Sequence, residues 1–410
     1  MTTFLMTDLR VAMRNLQRNK HRTMVAVLTV TMGIVAFLLA GGFVEWIFTS
    51  MREATIRSQL GHIQVVRPGY MTKGIADPYH YLLPARSAAL ESLLQAEGVE
   101  SVAQRLAFSG LVSHGDVTVT FIGEGIEPER ELVISNEIVL SSGKNLTQPN
   151  EKAALLGEGL AKNLGVEPGD DIVLLVTTAN GAANAIEVKV SGAFLTDSKE
   201  FDDNALRLPI DLARKLMRVE GATSWVVLLD KTERTQTMVG RLRALLPERD
   251  FEVIPWTDLA DFYNKTVLLY SKQIDLMMYV IGMLIVLTIS NTQMTSVLER
   301  TTEIGTIMAM GQHSSRVLQI FLIEGFLIGI IGGVTGVSTG YLLATVLSIV
   351  GIPMPPPPGM IVGFTAEILV NGKMVIDALL LALVTTLLAS VLPARKASRM
   401  NIVDALRCNQ

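Results

Sequence analysis

Little in this sequence is spaced for covalent chemistry. A phosphate-cradling loop needs a glycine-rich run ending in Gly-Lys-Ser/Thr. The nearest approach, Gly143-Lys144-Asn145, lacks both the upstream glycine and the hydroxyl. No His-Glu-x-x-His or Gly-x-Ser-x-Gly run occurs, and the histidines at 21, 62, 80, 114 and 313 are scattered. They read as surface or structural side chains rather than ligands. Adjacent acids such as Asp202 and Asp203 fit a solvated turn better than a general acid/base pair. The single cysteine, Cys408, excludes a disulfide framework and a cysteine metal site. These residues carry no catalytic centre.

Polar side chains inside apolar sequence are the next place to look, because an ionisable group in a membrane helix is costly and marks function by default. Glu324 is the clearest. It lies eight residues after Arg316, while Asn291 lies seven before Leu298 on the preceding helix. An antiparallel hairpin therefore puts Asn291 and Glu324 at similar depth, beside Ser290, Thr292 and Gln293. The spacing predicts that Glu324 hydrogen-bonds to this patch and clamps the hairpin; a proton relay is the alternative role.

The segment joining those two helices has a pattern of its own. Glu299, Arg300 and Glu303 are charged, whereas Ile304, Ile307 and Met308 recur at helical spacing and define one apolar face. Gly311 closes the segment, and Ser314 and Ser315 offer N-caps to the next helix. A short helix at the tip of a membrane hairpin suits a part on which another protein pushes. The following helix carries two glycine series four residues apart: Gly325, Gly329 and Gly333, then Gly332, Gly336 and Gly340. Small residues at this spacing let helix backbones approach closely in lipid. The partner is either another membrane chain or the chain's own helices.

The elements that position these residues follow from composition. With 49% hydrophobic and 18% charged residues, the chain is too apolar for an ordinary soluble protein. The excess lies in four blocks, Met24 to Phe48, Thr266 to Ile289, Val317 to Val350 and Met374 to Leu392. Each can cross a hydrocarbon core of about 30 Å. The first is too long for a signal h-region and lacks a cleavage site, so it reads as a retained anchor. Arg10, Arg14, Arg18, Lys20 and Arg22 precede the first block, and Arg395, Lys396, Arg399 and Arg407 follow the last, so the positive-inside rule expects both termini in the cytoplasm. The arginines of the first set fall at helical spacing, as in an interfacial helix. A net charge of −4, without a basic run away from the spans, excludes nucleic acid as a partner.

Residues 49–265 then lie on the opposite side. Period-2 runs at Ile63–Val66, Val117–Ile122, Ile186–Val190, Trp225–Leu228 and Phe251–Ile254 alternate with helical patterns at 86–96, 210–218 and 233–246, predicting an α+β domain with two lobes. The second and third spans are too long for a bilayer and are expected to project as stalks. Pro353 and Pro355 to Pro358, followed by Gly359, predict a stiff polyproline II loop. The expected fold is thus four transmembrane α-helices with a large extracytoplasmic α+β domain inserted between the first two. Its parts are 1–48 (N-terminal helix and first span), 49–265 (the domain), 266–393 (spans two to four) and 394–410 (a cytoplasmic tail).

With that topology in place, the run Glu299-Arg-Thr-Thr-Glu-Ile-Gly-Thr-Ile-Met-Ala-Met-Gly311, followed by Phe321-Leu-Ile-Glu-Gly325, resembles the shared module of FtsX-like ABC permeases. The ending Pro393-Ala-Arg-Lys-Ala-Ser-Arg-Met-Asn-Ile-Val-Asp-Ala-Leu-Arg407 is similar to that family's closing signature, with Asn401 where proline is usual. Gly61-His-Ile-Gln-Val-Val-Arg-Pro-Gly-Tyr70, Leu156–Val166 and Pro255-Trp-Thr-Asp-Leu259 resemble the lipoprotein-releasing LolC/LolE permeases. No fused ATPase of the MacB type is expected.

The resemblance implies a permease that binds no cofactor itself. It pairs with a second permease subunit, the same or homologous, and with a cytoplasmic ABC ATPase dimer that binds ATP and Mg²⁺. The ATPase would push on Glu299 to Gly311, with Ile304, Ile307 and Met308 in a groove, Glu299, Arg300 and Glu303 setting orientation, and Gly305 essential to coupling. The implied work is extraction of lipoprotein or lipid from the inner membrane. Efflux of an antibiotic or peptide through a periplasmic adaptor, and regulation of a periplasmic partner such as a cell-wall hydrolase, are the alternatives. A periplasmic chaperone and membrane lipids complete the implied partners.

Overall fold

The computed structural model describes residues 2–74, 77–136, 138–196, 199–355 and 363–401. Pro356 to Pro358 and Gly359 of the proline run, and Arg407 and Cys408 of the tail, lie outside the described residues. In chain order the helices are α1 (Thr2–Arg18), α2 (Lys20–Thr55), α3 (Ala88–Leu94), α4 (Pro128–Ile134), α5 (Glu158–Leu164), α6 (Lys199–Asp202), α7 (Ile210–Met217), α8 (Thr235–Leu245), α9 (Trp256–Leu259), α10 (Asp261–Glu299), α11 (Thr301–Ala309), α12 (Ser314–Val350) and α13 (Gly372–Ser398). The strands used below are β1 (Ile63–Val66), β2 (Val99–His114), β3 (Val117–Ile126), β4 (Val139–Gly143), β5 (Ala153–Gly157), β6 (Asp171–Thr177), β7 (Ala183–Leu195), β8 (Ala205–Pro209), β9 (Ser224–Leu229) and β10 (Glu252–Pro255). The chain divides into two compact units: residues 1–49, 267–353 and 365–410, and residues 50–266 with 354–364.

The first unit is helical. Among the described residues, four helices are long and apolar enough to cross a membrane, in segments Lys20–Leu60, Asp261–Glu299, Ser314–Val350 and Gly372–Ser398. At 1.5 Å per residue, the 39 residues of α10 span about 58 Å. The last helix begins at an Asn371 cap, whose side chain accepts from Met374 N at 2.8 Å. It continues past Pro393 to Ser398, five residues beyond the predicted end of the span.

In lipid, apolar side chains gain nothing by leaving solvent, so close backbone packing must hold helices together. The glycines of α12 supply it on two faces, both against the chain's own helices. A Cβ on Gly332, Gly336 or Gly340 would meet Val30 Cβ at 2.6 Å, Ile34 Cβ at 2.7 Å or Leu38 Cδ1 at 2.9 Å, all on α2. Gly325, Gly329 and Gly333 instead face Ser390, Thr386 and Ala382 of α13. Thr31 and Thr335, 2.8 Å apart between their hydroxyls, join α2 to α12 beside this seam. Val30, Ile34, Leu38, Ile285, Ile289, Ile328, Ala378 and Ala382 are buried together around it.

The second unit is built on a ten-stranded sheet of order β10-β1-β9-β2-β3-β8-β5-β7-β4, with β6 pairing β2 and β7. Hydrogen bonding is continuous across the two lobes suggested by the sequence. β2 and β3 form an antiparallel hairpin in register from Arg105↔Ile126 to His114↔Val117, while β3 and β8 run parallel. The main core, which includes Leu106, Phe121, Leu156, Leu208, Leu216 and Trp225, lies between the sheet and its helices.

His62, fully buried before β1, accepts a hydrogen bond on Nδ1 from Leu229 N at 3.0 Å, so its Nε2–H donates to Thr232 Oγ1, also at 3.0 Å. Burial pushes the imidazole down to about 4.

Two expectations follow. Gly336→Val forces α12 away from α2, and overpacking of this kind costs about 1–3 kcal/mol, read as a lower unfolding temperature in detergent. The second concerns acid. The folded-state pKa of His62 lies below its unfolded value, so its contribution is fully present above about pH 6.5 and is lost as pH falls towards 4, because the unfolded chain takes up the proton first. Acid titration of tryptophan fluorescence checks this, with that part of the slope absent in His62→Gln.

Candidate functional site

The hairpin tip forms as a helix–turn–helix. The short helix α11 ends on Gly311 at φ +90°, a conformation open to glycine and strained for other residues. Gly311 N bonds to Met308 O at 3.1 Å and Gln312 N to Ile307 O at 3.4 Å, the paired bonds of a Schellman stop. The following helix, α12, is capped by His313, without a side-chain cap bond. Ser314 and Ser315, expected as caps, are inside its first turn instead.

The apolar face of α11 turns inward. Ile304 is 6% exposed and packs with Val297, Phe321, Val317, Ala394 and Ala397; Met308 is half-buried against the same cluster. Gly305 is buried beside it. This corrects the expectation that Ile304, Ile307 and Met308 together face a partner's groove. The chain's own α10, α12 and α13 already hold two of them, since an isolated helix of nine residues cannot stand without tertiary packing. What α11 presents outward is Glu303, Thr306 and Ile307, with Met310 and Gly311 beyond its end.

Glu324 is 4% exposed, and its partners are Arg300, whose Nη1 lies 3.2 Å from Oε1, and Asn15, whose Nδ2 donates to Oε1 at 2.8 Å. Arg300, 7% exposed, also donates from Nη2 to Asn15 O at 3.1 Å. Asn291 is not among these partners; it is exposed on α10. Depth counting leaves out rotation about the helix axis. The buried stripe of α10 is Gly282, Ile285, Ile289, Gln293 and Val297, and Asn291, two residues from Gln293, lies about 200° around the helix from it. Gln293 takes the inward role, donating to Ser390 Oγ at 2.9 Å.

Sequence reasoning missed the contribution of α1. Asp8 bonds to Arg316 Nε at 3.0 Å, Asn15 to Glu324, Arg18 to Glu303 at 2.7 Å, and Arg22, on α2, to Glu299. Positions 8, 15 and 18 of α1 are spaced seven and three apart and share one helical face. That spacing was a legible signal, read only as an interfacial charge pattern. Arg10 and Arg14 remain exposed. Glu299, Arg300, Glu303 and Glu324 are thus joined to one N-terminal brace running along the hairpin tip. The arrangement gives a short helix a packed inner face and an exposed outer one.

The family of FtsX-like permease C-terminal domains matches residues 276–402, and that of MacB-like periplasmic core domains matches residues 23–245. LolC of the lipoprotein-releasing system of Xylella fastidiosa (strain 9a5c) is 27% identical over 307 residues, covering 69% of this chain and 72% of LolC. An uncharacterised ABC transporter permease of Methanocaldococcus jannaschii is 24% identical over 292 residues, 68% of each chain. The macrolide export ATP-binding/permease protein MacB of Escherichia coli (strain K12) is 26% identical over 415 aligned positions, 97% of this chain and 60% of MacB.

Removing one partner of the buried pair should expose its role. Glu324→Leu leaves Arg300 buried without its counter-charge, and loss of such a partner costs about 3–5 kcal/mol. Arg300→Met combined with Glu324→Leu should recover most of it, as measured by thermal unfolding in mild detergent. The exposed Arg18–Glu303 pair should respond differently, its coupling in a double-mutant cycle fading as salt is raised.

Proposed function

As a member of the FtsX-like ABC transporter permeases that carry a MacB-like periplasmic core domain, this chain is a membrane permease, and we propose that it turns ATP hydrolysis by a separate cytoplasmic ATPase into a conformational change of its periplasmic domain. The observation that carries this reading is the braced lever. Its outward residues Glu303, Thr306, Ile307 and Met310 are exposed, while its inner residues Ile304 and Gly305 are buried. An ATPase seated on the outer face would find Ile307 and Met310 as apolar anchors, the kind of contact that contributes most binding energy. Its closure would then displace the hairpin and α1 together.

On this reading the ATPase is a dimer holding ATP and Mg²⁺, and a second permease subunit completes the transporter. The chain resides in the inner membrane with both termini in the cytoplasm, a placement supported by the arginines and lysines flanking the first and last spans. The cargo is lipoprotein or lipid taken from that membrane. Similarity to a lipoprotein-releasing permease supports this choice. Efflux of a small molecule through a periplasmic adaptor is the second reading, favoured by the near-complete alignment of this chain with a macrolide exporter.

Purification in mild detergent from the native membrane, followed by mass spectrometry of proteins and lipids, tests the assignment. An ATPase recovered with lipoprotein or lipid supports extraction. An ATPase with an adaptor supports efflux, and one with a cell-wall hydrolase supports regulation. Absence of any ATPase overturns the reading. Gly305→Leu should insert normally and leave ATP hydrolysis running while transport falls by about tenfold or more, a loss near 1.4 kcal/mol of coupling. Normal transport in that variant would argue against the lever.

A further inference from the structure

Four ionisable side chains converge inside the second unit. Arg105 on β2, Arg207 on β8 and Glu131 on α4 are 4%, 2% and 3% exposed, and Glu124 on β3 lies between the two arginine strands, paired in register with Arg207. Arg105 grips Glu131 with both arms, Nη2 to Oε1 at 2.5 Å and Nε to Oε2 at 3.2 Å. Arg207 donates from Nε to Glu124 Oε2 at 3.2 Å and from Nη1 to Ser135 Oγ at 3.3 Å, while Ser135 donates to Glu131. Burial, the largest influence on Glu131, pushes its carboxyl up, but the charges of Arg105 and Arg207, with hydrogen bonds from Arg105 and Ser135, outweigh it and hold the group below the usual carboxylate range.

Each guanidinium also donates to the main chain of one short segment. Arg105 Nη1 donates to Gln59 O, and Arg207 Nη2 to Ser58 O at 3.2 Å. Both carbonyls belong to the π-helical turn Ile56–Leu60 that follows α2, where helix-end carbonyls lack amide partners. A second attachment lies beside the first. Thr232, which accepts from His62, donates to Glu53 Oε1 near the end of α2 at 2.9 Å. Ile56 is fully buried among Ala103, Val226, Leu228, Trp256 and Ala260. The turn is therefore held by two charged caps, a histidine relay and an apolar plug.

A buried ion-pair set adds little stability over well-packed apolar residues, so bulk stability does not explain its choice here. Charged groups locked in one geometry resist sliding and rotation, because no displaced arrangement satisfies them. We infer that Arg105, Arg207 and Glu131 are positioning residues that weld the helical end at 56–60 to the sheet, so that residues 50–60 and the sheet hold one geometry rather than flexing at a hinge. The inference rests on the force-transmitting function proposed above.

The test uses the full chain in lipid nanodiscs with its ATPase, carrying Cys408→Ser and spin labels at Ser50→Cys and Asn136→Cys, both exposed positions. The expected result is one narrow distance distribution, unchanged between nucleotide-free and ATP–vanadate states. A shift of more than about 5 Å between the states, the scale of a one-turn displacement, would mark a hinge and overturn the inference. In Arg105→Lys/Arg207→Lys the charges remain but the two-armed geometry is lost. That variant should broaden the distribution about twofold and cut ATP-driven release of a fluorescent triacylated lipopeptide by about tenfold, with the ATPase rate retained. An unaltered distribution, or release unaffected despite broadening, overturns the inference. If the variant does not fold, hydrogen exchange of the unaltered protein decides: amides 59–62 should exchange as slowly as those of β2 and β9, and exchange about 100-fold faster would sink the weld. If the unaltered protein neither binds an ATPase nor releases the probe, the proposed function fails, while the nucleotide-free distances and the exchange rates still judge the weld.

Discussion

The membrane unit depends on close backbone approach around α12. Helices in lipid cannot rely on expelling water, so contact distance decides whether they associate. The glycines at 332, 336 and 340 admit Val30, Ile34 and Leu38 of α2, and those at 325, 329 and 333 admit α13. One helix thereby admits its neighbours on two sides through glycines of its own. The same packing brings the start of α12 close enough to α1 and α10 for Glu324 to reach Asn15 and Arg300. The polar arrangement at the hairpin tip is a consequence of the small-residue seams.

Two designs for holding a helix end appear in the chain, each suited to its surroundings. At the hairpin tip, exposed pairs such as Arg18–Glu303 surround one buried pair, Arg300–Glu324. Exposed pairs of this kind contribute little to stability. In the α+β unit the corresponding fastening is withdrawn from water, and Arg105, Arg207 and Glu131 satisfy one another and two helix-end carbonyls. Buried charges without alternative partners make a stiff joint. The two fastenings thus differ chiefly in solvent exposure.

Polar residues inside apolar helices were legible as a class, but not as pairs. Glu324 stood out because a carboxylate within such a helix needs a partner. Which partner it found depended on rotation about the helix axis, and depth counting does not contain that angle. Likewise, the apolar face of α11 was plain from its spacing. Whether Ile304 would meet another protein or the chain's own Phe321 and Ala394 was a question about neighbours distant in sequence.

By itself the sequence determined the presence of four apolar helices, the alternation of strands and helices in residues 50–266, and the presence of a short amphipathic tip ending at Gly311. These rest on local periodicity, on glycine at positive φ and on the length a bilayer requires, none of which needs long-range contacts. The strands it failed to reveal have physical reasons. β2 is buried on both sides over 102–106 and shows no alternation, and β6 hides its buried Ile172, Leu174 and Val176 because Val173 and Leu175 occupy the exposed face. Only the tertiary structure decided that both glycine series serve the chain's own helices, that α1 braces the hairpin, and that two arginines on separate strands close over the turn at 56–60. Each of these joins residues from about 50 to 310 positions apart, where pairing is set by packing that no local pattern encodes.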